Sequence, residues 1–264
     1  MKNGKNIFCG IDIGSRTGKI VLIDTNKTII FSKIIKTVAS AAKTYNALIE
    51  TIPEELKNSI SASAVTGYGR ESTAAMCDFS ATEITCHYLG VLCTHPETKT
   101  IIDIGGQDSK VITIDNNSRI KDFAMNDRCA AGTGRFLEVM TDRIGFSIED
   151  FAALDISEVE PVKINSTCTV FAESEVISMV SRDIPQNVIA SSLARMVAAN
   201  TFFMARKTRP EAPFFMSGGV SKLAPVRFHL EKLFGSAIKT DKNSQLMGAL
   251  GAALFAMKET SVSH

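Results

Sequence analysis

Charge of one sign is what this sequence has least to spare. Its 264 residues carry 29 lysines and arginines against 28 aspartates and glutamates, a formal net charge of +1, with the two signs interspersed. Such a balance leaves no electrostatic footprint for a nucleic acid and no polybasic patch for a membrane surface, so the expected partners are proteins and small molecules. Long hydrophobic runs are missing too. Nowhere do roughly 18 apolar residues follow one another, and no membrane span is expected. The opening Met1-Lys2-Asn3-Gly4-Lys5-Asn6 has no apolar core and no small-residue cleavage site and leads straight into a strand-like run, which points to a cytoplasmic chain. In that compartment six cysteines argue for reduced thiols or metal ligation rather than disulfides. What is present, 45% hydrophobic and 22% charged, is ordinary for one large domain or two smaller ones with real cores.

Residues 7–13, 19–24 and 28–36 read as a meander of three strands, the last two joined by the turn Thr25-Asn26-Lys27. A helix is expected over 39–52, a strand over 60–65, a turn at Gly67-Tyr68-Gly69-Arg70, and helices to about Cys93. His95-Pro96 marks a boundary. The pattern then restarts with strands at 100–104, 110–115 and 119–125, the last two joined by Asn116-Asn117. Helices predominate beyond, one with Pro185 in its first turn and running to about Lys207, followed by a short buried strand at Phe214-Phe215-Met216 and helices over 222–234 and 245–257. This predicts one lobe over 1–97 and a second over 98–244, with the closing segment 245–264 packing back on the first.

The restart is an internal repeat: Ile11-Asp12-Ile13-Gly14 and Ile102-Asp103-Ile104-Gly105 each end a first strand and open a hairpin. One Asp-x-Gly after a strand is an ordinary turn. Two of them, heading two three-strand meanders, indicate related lobes with a facing pair of glycine-bearing hairpins. Each hairpin offers backbone N–H groups to phosphate oxygens, and each aspartate is placed to hold a hydrated Mg²⁺ or orient a water. Ser217-Gly218-Gly219-Val220 adds a third glycine turn, suited to close approach of a nucleotide. This is neither a Walker loop nor a dinucleotide fingerprint.

Two cysteines stand apart. Asn126-Asp127-Arg128-Cys129-Ala130-Ala131-Gly132-Thr133-Gly134-Arg135-Phe136 and Ser166-Thr167-Cys168-Thr169-Val170-Phe171-Ala172-Glu173 each set a thiol where a helix is expected to begin. Free N–H groups and the positive end of the helix dipole depress a thiol pKa there, which makes a metal ligand or a reactive thiol; the bland alternative is a small apolar filler. Two thiolates are half of what a cubane iron–sulfur cluster needs, and a second copy of the chain would supply the rest. Cys9, Cys77, Cys86 and Cys93 read as packing residues, as does the Cys86-His87 pair, and His229 as a solvated side chain. Arg70 either touches nucleotide or caps its turn.

The three glycine turns, in this order, resemble the acetate-and-sugar-kinase, Hsp70 and actin superfamily, whose ribonuclease H-like α/β fold is duplicated into two lobes that clamp ATP in the cleft between them. Within it, Gly10-Ile11-Asp12-Ile13-Gly14-Ser15, Thr66-Gly67-Tyr68-Gly69-Arg70, Ile102-Asp103-Ile104-Gly105-Gly106-Gln107-Asp108 and the two cysteine stretches resemble the activators of 2-hydroxyacyl-CoA dehydratases, a family that also includes the ATPase subunits of benzoyl-CoA reductases. The resemblance covers nearly the whole chain, and the cysteine stretches are its most specific part. It implies a homodimer in which Cys129 and Cys168 of both subunits hold one [4Fe-4S] cluster. It also carries ATP contacts onto Gly14, Ser15, Thr17 and Lys19, onto Gly105, Gly106 and Gln107, onto Gly218 and Gly219, and onto Gly132, Thr133, Gly134 and Gln245. Asp12 takes a Mg²⁺ role and Asp103 a water-orienting one. Arg16 and Gly18 depart from the small hydroxyl residues common at their positions. The implied activity is ATP-driven one-electron donation, loaded by a ferredoxin or flavodoxin and discharged to a dehydratase or reductase. A sugar or acid kinase of the superfamily would need an acceptor-binding segment for which no large insertion is present; a cluster-free, nucleotide-switched interaction protein is the other alternative.

Overall fold

The computed structural model describes residues 6–127, 132–164 and 169–262, with the backbone alone for Thr169 and Val170. The chain begins β1 (Ile7–Ile13), β2 (Thr17–Ile23), β3 (Ile29–Lys36), α1 (Ala41–Glu50), α2 (Glu54–Lys57), β4 (Ile60–Thr66), α3 (Arg70–Thr73), β5 (Phe79–Ser80) and α4 (Glu83–Thr94). It continues with β6 (Thr100–Ile104), β7 (Ser109–Ile114), β8 (Ile120–Asn126), α5 (Gly134–Arg143), α6 (Ile148–Ala153), α7 (Thr169–Ser181), α8 (Gln186–Ala205), β9 (Phe214–Ser217), α9 (Ala224–Phe234), β10 (Ile238–Lys239) and α10 (Met247–Val262). It divides into two compact units, Met1–Glu97 with Gln245–His264, and Thr98–Ser244.

The first unit carries a sheet in the order β3-β2-β1-β4-β5, with β1 antiparallel to β2 and parallel to β4. Every residue of β1 is buried, as a strand covered on both faces requires, whereas β3 at the edge is exposed at half its positions. Ser40 and Thr82 start α1 and α4 by accepting the Lys43 and Thr85 N–H groups at 3.2 and 3.1 Å. α10 lies across β1, β2, β4 and α4. Its approach depends on missing side chains: a Cβ on Gly10 would collide with the backbone of Ala249 and Ala253, and one on Gly251 with that of Cys86. The core beneath is Ile7, Ile11, Ile13, Ile20, Leu22, Leu48 and Val65.

The second unit repeats the plan. Its sheet, β10-β9-β6-β7-β8, read from the other edge has the same order and the same mixture of antiparallel and parallel pairs. At one constant offset along the sequence Asp12 answers to Asp103, Gly14 to Gly105, Lys19 to Lys110 and Asp24 to Asp115. Asp24 Oδ1 accepts from the N–H of Asn26 and of Thr28, and Asp115 Oδ1 accepts from Asn117 and Arg119; Lys27 (φ 63°) and Ser118 (φ 55°) complete the two turns in the left-handed region. Even the register shift recurs, between Leu22 and Ile23 and between Thr113 and Ile114. The core of this unit gathers Phe136, Leu137, Met140, Phe151, Leu193, Val197 and Leu230.

The structure adds two short strands, leaves the membrane expectation as it was and corrects one side chain. The edge strands β5 and β10, two residues each, are too short for any periodicity to reveal. One helix among the described residues, Gln186–Thr208, is long and apolar enough by composition to cross a membrane, but Ile189, Leu193 and Val197 on it belong to the core. His229 is not solvated: it is 5% exposed, its Nε2 lies 3.1 Å from Ser191 Oγ, and burial, with Lys232 and Arg195 nearby, pushes its pKa down to about 4.

Candidate functional site

In the first unit Asp12 sits one residue before the end of β1, in register with Lys19 on β2 and Thr66 on β4. Lys19 Nζ lies 3.1 Å from Asp12 Oδ2. The turn beyond is closed by the Gly14 N–H donating to the Thr17 carbonyl at 3.1 Å, and Thr37 Oγ1 donates to the Gly14 carbonyl at 2.7 Å, which leaves Ser15 and Arg16 at the tip. Gly18 has a packing reason: a Cβ there would stand 2.7 Å from Thr44 Cγ2 and 3.0 Å from Leu48 Cδ1. After β4 the chain passes Asp12 at Gly67, whose φ of +94° only glycine adopts at ease and whose Cβ would lie 2.5 Å from Asp12 Oδ1 and 2.6 Å from the Ile13 oxygen. Gln245 lies in a 3₁₀ turn, Ser244–Leu246, that leads into α10.

The second unit builds the same corner from other residues. Asp103 on β6 is in register with Lys110 on β7 and Ser217 on β9. Ser217 Oγ donates to Asp103 Oδ1 at 2.9 Å, and Lys110 Nζ stands 3.5 Å from Asp103 Oδ2 while donating to Asp108 Oδ2. The Gly105 N–H donates to the Asp108 carbonyl at 2.9 Å, which sets Gly106 and Gln107 at the tip. Gly218 (φ +82°) passes Asp103 as Gly67 passes Asp12, its Cβ position 2.8 Å from Asp103 Oδ1, and Gly219 opens the 3₁₀ turn Gly219–Lys222. The turn also caps a helix. The Gly105 and Gly106 carbonyls accept the N–H groups of Gly134 and Arg135, at 2.9 and 2.8 Å, so Gly132, Thr133 and Gly134 enter α5 against the hairpin.

Sequence reasoning missed Lys110, Asp108 and Ser217. Two signals were there to find: Lys110 follows Asp103 at the interval by which Lys19 follows Asp12, and Thr66-Gly67 and Ser217-Gly218 each end a strand on a hydroxyl residue followed by a glycine.

Among the described residues no group of three or more His, Cys, Asp and Glu side chains is placed to hold a metal. Burial pushes the Cys86 thiol up to about 12 and raises Cys9 and Cys77 as well, so these behave as neutral packing thiols. Cys129 and Cys168 lie outside the described residues.

Two mixed sheets of one topology, each with an aspartate and a lysine paired across its first hairpin and a positive-φ glycine beside the carboxylate, define the duplicated ribonuclease H-like fold of actin, Hsp70 and the sugar kinases. A ROK family glucokinase from Streptomyces griseus shares that fold alone, with a TM-score of 0.62 at 15% identity. The chain belongs to the BadF/BadG/BcrA/BcrD ATPase family, which it matches over residues 9–256. It is 38% identical over 255 residues to the (R)-2-hydroxyglutaryl-CoA dehydratase activating ATPase of Acidaminococcus fermentans, across 96% of this chain and 97% of the relative. To the activator of lactoyl-CoA dehydratase of Anaerotignum propionicum it is 40% identical over 253 residues, across 94% and 96%. The activator of the 2-hydroxyisocaproyl-CoA dehydratase of Clostridium difficile, solved with bound ADPNP, superposes with a TM-score of 0.91 at 36% identity, across 97% of this chain and 96% of that one.

Proposed function

We propose that this chain is an ATP-hydrolysing one-electron donor that activates a 2-hydroxyacyl-CoA dehydratase or a related reductase. The observation that carries the reading is the twice-built carboxylate–lysine hairpin, found in a chain whose relatives are dehydratase activators. Hard carboxylate oxygens suit Mg²⁺, and hairpin N–H groups suit phosphate. Asp12 would hold the hydrated metal and Asp103 would orient the attacking water, while Lys19 and Lys110 offset carboxylate charge beside the phosphates. Ser15, Thr17, Gly106, Gln107, Gly218 and Gly219 would line the nucleotide. Cys129 and Cys168 from each of two copies would hold a [4Fe-4S] cluster, which supplies reversible one-electron chemistry when bound. A reduced ferredoxin or flavodoxin is the donor in this scheme, and the dehydratase or reductase the acceptor, in the cytoplasm.

The capping of α5 gives the coupling a physical route. A shift of the Gly105-Gly106 turn on nucleotide exchange would move the carbonyls that hold the Gly134 and Arg135 N–H groups, and with them the start of α5, which follows Cys129 in the sequence. The test is anaerobic purification with iron analysis and an assay of dehydratase activation under ATP and a low-potential reductant. About four irons per dimer and ATP-dependent activation are expected, and Cys168→Ser should lose the iron while still binding ATP. Full activation by an iron-free protein would overturn the electron-donor reading.

A further inference from the structure

Resting on the nucleotide-hydrolysis reading above, we infer that His87 is a positioning residue for Asp12. The duplication exposes the need for one. In the second unit the register partner Ser217 donates its hydroxyl to Asp103, whereas the Thr66 hydroxyl at the equivalent place in the first unit is buried and makes no hydrogen bond to Asp12. Lys19 reaches Asp12 Oδ2, but a flexible four-carbon stem supplies charge more than direction. On the side of α10 a Cβ on Gly248 would stand 3.1 Å from Asp12 Oδ2 and 3.1 Å from His87 Nε2, so the two atoms are within about 6 Å, the reach of a contact through a bridging water.

The approach is built into the fold. His87 is 6% exposed on α4, and α4 meets α10 through Gly90 and Gly251, whose Cβ atoms would collide with the backbone of Met247 and Cys86. That close packing fixes the height of the imidazole against the first turn of α10, and Gly248 leaves the space between ring and carboxylate clear of a methyl. Sequence reasoning took His87 for a packing residue because it saw one histidine beside one cysteine on a helix; the end of the central strand that carries Asp12 was out of view. A ring nitrogen within water-bridging reach of Oδ2, with the Gly67 backbone passing beside Oδ1, holds the carboxylate in one rotamer, which is what a metal-water shell needs from it.

The experiment is steady-state ATP hydrolysis by the parent dimer and by His87→Leu, His87→Gln and Gly248→Ala, each checked for folding by circular dichroism. His87→Leu should lower kcat by about 10–100-fold with KM for the magnesium nucleotide unchanged. His87→Gln, whose amide reaches the position of Nε2, should recover most of that loss. Gly248→Ala, which keeps both groups and inserts a methyl between them, should lose kcat as His87→Leu does. A folded His87→Leu with parental kcat overturns the inference, as does an equal loss in the Leu and Gln variants that follows their melting temperatures. A parent that does not hydrolyse ATP overturns the nucleotide reading with it, whereas a hydrolysing parent with unaffected variants overturns this inference alone.

Discussion

Replacing Lys110 with methionine keeps most of the side chain's volume and removes its charge from a place where the Lys110 and Asp103 side chains are only 2% and 3% exposed. Removing one partner of a pair so deeply buried costs about 3–5 kcal/mol, because the remaining carboxylate keeps its desolvation and loses its counter-charge. The hydroxyl of Ser217 still donates to Asp103 Oδ1, and Asp108, 27% exposed, is partly served by water, so the lower end of that range applies. For a chain of this size about 3 kcal/mol lowers Tm by roughly 6–12 °C. The duplication supplies an internal control: Lys19 and Asp12 are 13% and 10% exposed, water screens them better, and Lys19→Met should cost about half as much. The sequence holds no tryptophan, so urea unfolding is best followed by far-UV circular dichroism. Combining Lys110→Met with Asp103→Asn removes the stranded charge and should return most of the loss. A double variant no more stable than Lys110→Met, or a Lys19→Met as costly as Lys110→Met, would refute the burial argument.

Two further outcomes follow from the same geometry. Gly67→Ala forces a Cβ onto a φ of +94°, 2.5 Å from Asp12 Oδ1; it should cost about 1–3 kcal/mol and lower ATP turnover by moving the carboxylate, and a parental melt with parental turnover would show that the turn relaxes freely. His229, its pKa depressed to about 4 by burial and by Lys232 and Arg195, binds its proton more weakly folded than unfolded. Its contribution is therefore complete above an unfolded pKa of about 6.5 and is lost as pH falls from there toward 4, by at most about 3 kcal/mol. His229→Gln should flatten the fall in Tm between pH 6.5 and 4 relative to the parent, and an unchanged slope would count against the buried neutral imidazole.

The hairpins were legible because their signals are local. Asp-Ile-Gly after an apolar run, twice, locates both carboxylates, and Asp24 and Asp115 mark the matching turns through side chains that bind their own backbone. What stayed hidden lies across the sheet. Ser217 reaches Asp103, and His87 approaches Asp12, only through pairings between segments far apart in the chain, and no pattern along a single strand or helix records them. His229 looked solvated for a related reason. Its neighbours on α9 are mixed in character, and the burial comes from α8 through Ser191.

The two corners share a backbone and differ in how their carboxylates are held, and that difference sorts the proposed roles. Asp103 is fixed by the Ser217 hydroxyl on one oxygen and approached by a nearly inaccessible lysine on the other. The Ser217 hydrogen bond gives that carboxylate a direction, which suits a group that must align a water along one line of attack. Asp12 has a more accessible lysine and no hydrogen bond from the Thr66 hydroxyl. Without a hydroxyl donor from its register partner it keeps an acceptor oxygen for the water shell of a hydrated cation, and His87 is placed to hold its direction. Exchanging the roles would put the hydroxyl-bonded carboxylate in the metal's water shell and the one without that donor on the line of attack, so the asymmetry of packing between two copies of one fold favours Asp103 for the water and Asp12 for the metal.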